Sequence, residues 1–294
     1  MRNTFISHLT KCAIENDKIV LIVGDLGYSV VEEFEKHFPL RFYNAGISEQ
    51  NMASMAAGLA SEGYHVFIYS IANFPTFRCA EQLRNDVGYH NLPVTVVTVG
   101  GGLSYGNLGY SHHAIQDLGL MRLFPEFTIA SPGDPIETSM CLDYLLDNPG
   151  PSYLRLKKAG EVNYNQEKRK IIPGIWNEIV PANTNNKILL TTSGGLHIAH
   201  ELQKNNSEYI GYGIFTCPIW GASFKSLQQV QINKFSEIVT IEDHLLDCGF
   251  GSWLRESIVI PESHIKVKNK ALSLDVIGKV GTEDYLLKVG GFNI

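Results

Sequence analysis

The chain has 294 residues, of which 44% are hydrophobic and 18% charged, and a formal net charge of −6. That apolar content builds packed cores and excludes wholesale disorder, and the length allows two α/β domains of ordinary size. The negative balance, with no long Lys/Arg block, excludes a protein that binds nucleic acid mainly by neutralising its phosphates.

The longest pure aliphatic run, Ile19–Val23, falls far short of the roughly 20 apolar residues of a membrane helix. The first turns carry Arg2, Lys11, Glu15, Asp17 and Lys18 with no apolar signal core. A soluble, cytoplasmic protein is therefore expected. Five widely spaced cysteines without C-x-x-C or other metal-ligand spacing suit buried, reduced thiols.

Taken in chain order, Ile19–Val23, 66–69, 94–99 and 153–156 are β-branched runs with the look of strands buried on both faces. Between them, 50–61 is rich in Ala, Met and Gly, which suits a helix packed closely on a sheet. The segment 134–146 opens with Asp134 and Pro135, a helix cap followed by proline at the first turn. Residues 160–186 break the rhythm with a Lys/Arg cluster, two prolines and an Asn-rich end. They are expected to form a connector. A second, shorter pattern follows, with strands near 188–192, 209–214 and 237–241 and helices near 196–203 and 250–258. The expectation is an α/β fold of two doubly wound domains with mostly parallel sheets, at 1–165 and 187–294, joined by a linker at 166–186.

Three segments hold residue types that suit chemistry. Asn44-Ala45-Gly46-Ile47-Ser48-Glu49-Gln50-Asn51 follows a short strand and opens the small-residue helix. Taken alone, Glu49 is a favourable charge at a positive helix end, yet it also sits where open α/β sheets hold ligands. Phe74 and Phe77, beside Arg78, are either core residues at i, i+3 or an aromatic wall for a flat heterocycle. The loop 100–113 has five glycines in its first ten residues and ends Ser111-His112-His113. It matches neither a dinucleotide fingerprint nor a P-loop, and nothing nearby makes the two histidines a zinc pair.

Together these segments resemble the transketolase family of thiamine-diphosphate enzymes, in that family's order and approximate spacing. The match continues through Asp117, Met121 and Ala130-Ser131-Pro132-Gly133-Asp134, then Val239-Thr240-Ile241-Glu242-Asp243-His244 and the closing 278–287. It covers the pyrimidine-binding and C-terminal domains only. The Gly-Asp-Gly…Asn set, which in the family holds the diphosphate and Mg2+ or Ca2+, is missing, since Gly24-Asp25 is followed by Leu26. The resemblance thus implies one subunit of a split transketolase. An N-terminal partner subunit would supply the diphosphate and metal half, in an α2β2 assembly.

It further implies that Glu49 pairs with the aminopyrimidine ring and must be desolvated to share a proton at neutral pH. Phe74 and Phe77 would stack on that ring, and Asp25 would lie near the cationic thiazolium. His112 would face substrate and shuttle protons. Of the family's phosphate-holding positions, Arg2 and Ser29 match, Lys158 stands for an Arg, and Gly100 replaces a His. Leu108 replaces the loop Asp that reads acceptor hydroxyls. The implied reaction is transfer of a two-carbon ketol unit to an altered acceptor, an aldose or a larger activated sugar such as a nucleotide sugar. The alternatives are the β chain of a 2-oxo-acid dehydrogenase, against which Ser111-His112-His113 stands, and a non-catalytic paralogue, against which Glu49 stands.

Overall fold

The computed structural model describes residues 1–183, 185–259 and 265–294. The first half runs α1 (Arg2–Glu15), β1 (Ile19–Val23), α2 (Glu32–His37), β2 (Phe42–Asn44), α3 (Glu49–Ser61), β3 (His65–Ile71), α4 (Asn73–Arg78), α5 (Ala80–Gln82) and β4 (Val94–Val99). It continues through α6 (Asp117–Met121), β5 (Thr128–Ala130), α7 (Pro135–Asp147) and β6 (Ser152–Leu156). The second half holds β7 (Asn177–Val180), β8 (Lys187–Thr191), α8 (Gly195–Asn205), β9 (Gly213–Thr216) and β10 (Ile219–Trp220). It closes with α9 (Gln228–Ile232), β11 (Glu237–Leu245), α10 (Phe250–Glu256), β12 (Lys266–Leu272) and α11 (Glu283–Val289).

A seven-stranded sheet has the order β10-β5-β6-β4-β3-β1-β2, and a five-stranded one β12-β11-β8-β9-β7. All pairings are parallel except β10 with β5 and β7 with β9. This is the doubly wound α/β architecture expected. The aliphatic runs explain it, because β1, β4 and β6 are buried along their whole length between two helical layers. On one face Ala53, Ala56, Ala57 and Ala60 bring α3 close to the sheet. On the other, Phe5, Leu9 and Ala13 of α1 pack with Leu142 and Leu145 of α7. The Asp134 cap is as anticipated: its carboxylate accepts from Glu137 N, and it also accepts from the backbone N–H groups of Tyr164 and Asn165. Among the described residues, no helix is long and apolar enough to cross a membrane.

Three local features differ from expectation. Residues 166–186 are more than a connector, because β7 lies within them and pairs with β9. The strand expected at 209–214 begins only at Gly213; Asn206 caps a 3-10 turn, accepting from Glu208 N at 3.0 Å, and side-chain turn chemistry displaces the strand. Residues 219–220 leave the second half to pair with β5, and Trp220 Nε1 donates to Ser131 Oγ at 2.8 Å.

Glu242, buried on β11, accepts from Phe250 N and Gly251 N at the start of α10. Burial pushes its carboxyl up to about 8 against the pull of those two N–H groups, and neighbouring Asp243 adds to the rise. A carboxyl held neutral in the fold stabilises fully below its unfolded value and loses that contribution as pH rises through about 8. Wild-type stability should therefore fall between pH 5 and 8 more steeply than that of Glu242→Gln, by up to about 1.4 kcal/mol per pH unit. Urea midpoints at four pH values read this directly, and parallel slopes would mean that Glu242 ionises freely in the fold.

Candidate active site

Most of the expected site residues, Arg2 of α1 excepted, follow the carboxyl ends of parallel strands, where ligands enter open α/β sheets. Asp25 follows β1, Glu49 follows β2, Phe74 follows β3, the loop from Gly100 follows β4, and Lys158 follows β6. Asp25 exchanges two hydrogen bonds with Asn44, at 3.1 and 3.0 Å. Asn44 Oδ1 also accepts from Gly46 N at 2.9 Å. That lattice ties the end of β1 to the loop that delivers Glu49. Gly46 has φ +71°, a conformation that most side chains resist.

Glu49, only 5% exposed, is the first residue of α3. It lines a cavity of about 430 Å3 together with Ile47, Ser48, Gln50, Asn51 and Arg78. Arg78 Nη1 lies 3.0 Å from both Glu49 oxygens, and its guanidinium carbon stands 5.0 Å from the centre of the Phe74 ring. Phe74 meets the His112 ring edge-on at 5.4 Å. Glu49, Arg78, Phe74 and His112 thus form one continuous array. Arg78 is 54% exposed and can leave the carboxylate for solvent at little cost. Phe77 lies on the same short helix but is 46% exposed, so Phe74 and Phe77 are not a pair of core residues; Pro75 and Thr76 take the buried positions.

His112 is half-buried, with Nδ1 3.0 Å from Ser111 Oγ. Burial, and then neighbouring His113, lower its pKa, which keeps the ring neutral at neutral pH and able both to give and to take a proton. Nearby, Lys158 Nζ lies 5.7 Å from the centre of the Tyr105 ring. Arg2 is half-buried, and its Nε has no hydrogen-bond partner among the described residues. Ser29 is exposed, with φ +63°, and its N–H donates to Glu32 at 2.6 Å, so it belongs to the start of α2.

Sequence reasoning missed an ionic network beneath the site. Arg155 on β6 is fully buried and donates from Nε to Asp117 at 2.8 Å and from Nη1 to Asp243 and Ser193 Oγ, both at 2.7 Å. Its Nη2 donates to Ala114 O at 2.6 Å. Burial alone would lower the guanidinium's pKa, but Asp117 and Asp243 outweigh it and hold it above its usual range. Asp243 belongs to the second sheet, so the network joins the two halves directly under the His112 loop. Ser193-Gly194-Gly195 form a tight turn into α8, and Ser193 also feeds this network. His244 is structural: Nε2 accepts from Gly119 N at 3.3 Å, and Nδ1 therefore donates to Leu245 O at 2.6 Å.

Sequence spacing showed no ligand set around the cysteines, yet His8, Cys12 and Asp143 bring one ligand atom each within 4.8 Å of one another. His8 hydrogen-bonds Asp143, and Lys168 lies 3.4 Å from the other Asp143 oxygen. That carboxylate already has both its partners.

Residues 1–160 match the family model described as the transketolase pyrimidine-binding domain. A putative transketolase C-terminal section from Methanocaldococcus jannaschii is 30% identical over all of this chain and 92% of its own length. One of the subunits of apulose-4-phosphate transketolase from Phocaeicola vulgatus is 29% identical over 87% of this chain and 83% of its own. Among solved structures, a split gene transketolase described as an inactive beta4 tetramer superposes with a TM-score of 0.83 at 27% identity, covering 99% of this chain and 93% of that one. The Campylobacter jejuni transketolase superposes at 0.81 with 16% identity over 44% of its length, which shows a shared fold. The chain therefore belongs to the transketolase family, and along its whole length it is similar to the C-terminal section of a divided enzyme.

Proposed function

We propose that this chain is the pyrimidine-binding half of a thiamine-diphosphate-dependent transketolase, transferring a two-carbon ketol unit from a ketose donor once joined to an N-terminal partner subunit. The observation that carries this reading is the buried Glu49 carboxylate, opening on a cavity and linked through Arg78 and Phe74 to a neutral His112. The residues present fit half of the cofactor. A buried carboxylate, with an aromatic ring one side chain away, suits a flat heterocycle, whereas the sequence has no Gly-Asp-Gly set for the diphosphate and Mg2+ or Ca2+. When bound, thiamine diphosphate supplies the electron sink for cleavage of the bond beside a ketone. Glu49 would then turn a carboxyl oxygen toward the pyrimidine once Arg78 moves aside. Phe74 would exclude water from that face, and Asp25 would offset the cofactor's positive charge.

His112 gives and takes protons at the substrate oxygens, and Arg2, Ser29 and Lys158 orient the anionic end of the sugar. The acceptor is an activated sugar bulkier than a pentose phosphate, because Gly100 and Leu108 stand where the family places polar readers. The beta-only tetramer of the split relative, described as inactive, supports the need for a partner, in an α2β2 assembly. Exposed Tyr28, Ile47, Phe77 and Leu108 around the crevice offer the apolar surface for it.

Titrating thiamine diphosphate and Mg2+ calorimetrically into this chain, into the partner, and into their mixture tests the reading. Binding should develop only in the mixture. Tight binding by this chain alone would overturn the divided site.

A further inference from the structure

The loop between β4 and α6 contains a substitution in space that its residue order conceals. Gly100 has φ +85°, and a side chain there would start 2.2 Å from Tyr105 Cδ2. The Tyr105 ring, contributed five residues later, thus fills the side-chain volume of position 100. It meets the His112 ring edge-on at 6.4 Å, and Lys158 Nζ lies 5.7 Å from its centre. The loop that carries it is held at both ends. Gly102 and Ala114 exchange two backbone hydrogen bonds of 2.9 Å, and Gly106 is packed so closely by Leu286 and Gly281 that it has no room for a side chain. No charged side chain occurs from Gly100 to Ser111, and Leu108 and Tyr110 continue an exposed apolar rim.

We propose that Tyr105, standing between His112 and Lys158, is a specificity-determining wall for substrate, and that it selects a ring-closed sugar bearing an anomeric phosphate ester over an open-chain sugar phosphate. The proposal rests on the ketol-transfer reading and deepens it. The C–H face of a sugar ring packs on an aromatic side chain, while an extended polyol phosphate is held best by charged readers, which this loop lacks from Gly100 to Ser111. Lys158, over one face of the same ring, supplies the charge for the phosphate and leaves the other face to the sugar. A ring closed at the anomeric carbon has no aldehyde to offer, so its acceptor group is a ring ketone. The donor's C2–C3 bond breaks and a new C–C bond forms at the ketone carbon. The ketone oxygen takes up a proton as a hydroxyl, and the donor leaves as an aldose two carbons shorter.

The test uses the assembled complex with its cofactor, with UDP-glucose and ribose 5-phosphate as binding probes read by calorimetry. Wild type should bind UDP-glucose roughly five- to tenfold more tightly than ribose 5-phosphate. Tyr105→Val should bring the two near parity, and Tyr105→Phe, which keeps the ring and its packing, should retain the preference. Equal affinities in wild type, or an unchanged preference in Tyr105→Val, would overturn the proposal. Because binding is read without turnover, a complex that keeps the preference but transfers no ketol unit refutes the reaction and upholds the role of Tyr105.

Discussion

Glu49→Gln should lower the turnover of the assembled complex by about two to four orders of magnitude, with the affinity for thiamine diphosphate changed only a few-fold. Glutamine keeps the shape and hydrogen-bonding reach of the side chain but cannot hold or release the proton. The loss therefore falls on turnover rather than on binding. The fold should tolerate the change, because Arg78 is half-exposed and finds water once its partner is neutral. Steady-state rates, with cofactor affinity measured in parallel, separate these effects. Activity within tenfold of wild type would show that Glu49 is only a favourable charge at the start of α3, and the non-catalytic reading would return.

Arg155→Ala should cost about 3–5 kcal/mol of stability, because it leaves two buried carboxylates facing each other without their cation. Asp117 and Asp243 are both essentially inaccessible to water, so neither can be rescued by solvent. The variant should unfold at a much lower urea concentration, and its His112 loop should loosen with it, since Arg155 also anchors Ala114 O two residues beyond His112. Adding Asp117→Asn and Asp243→Asn to Arg155→Ala should recover part of the loss, which an ordinary packing defect would not. A cost below about 1 kcal/mol would mean that the carboxylates find other partners.

The βαβ rhythm, the Asp134 cap and the strand-end position of Glu49 were legible because they depend on local runs of residue types. The Arg155 network was not. Its carboxylates lie 38 and 88 residues away, and an arginine inside a β-branched run gives no sign of its partners. Arg78 could be seen beside the phenylalanines, but its pairing with Glu49 joins segments on either side of β3. Tyr105 shows the same limit on a smaller scale. The sequence reveals that position 100 lacks a side chain, and only the loop's path shows which residue fills the gap.

The edge strand β10 bears on the order in which the chain can be completed during synthesis. Residues 219–220 cover the open edge of β5, and Trp220 donates to Ser131. The first sheet therefore stays unfinished until the chain has been extended some way into its second half, although most of its other strands are already available. Until then β5 presents unpaired backbone groups to any neighbouring strand. A nascent chain halted between β6 and β10 would be a sticky intermediate rather than a finished domain, and cutting there would not release two self-sufficient pieces.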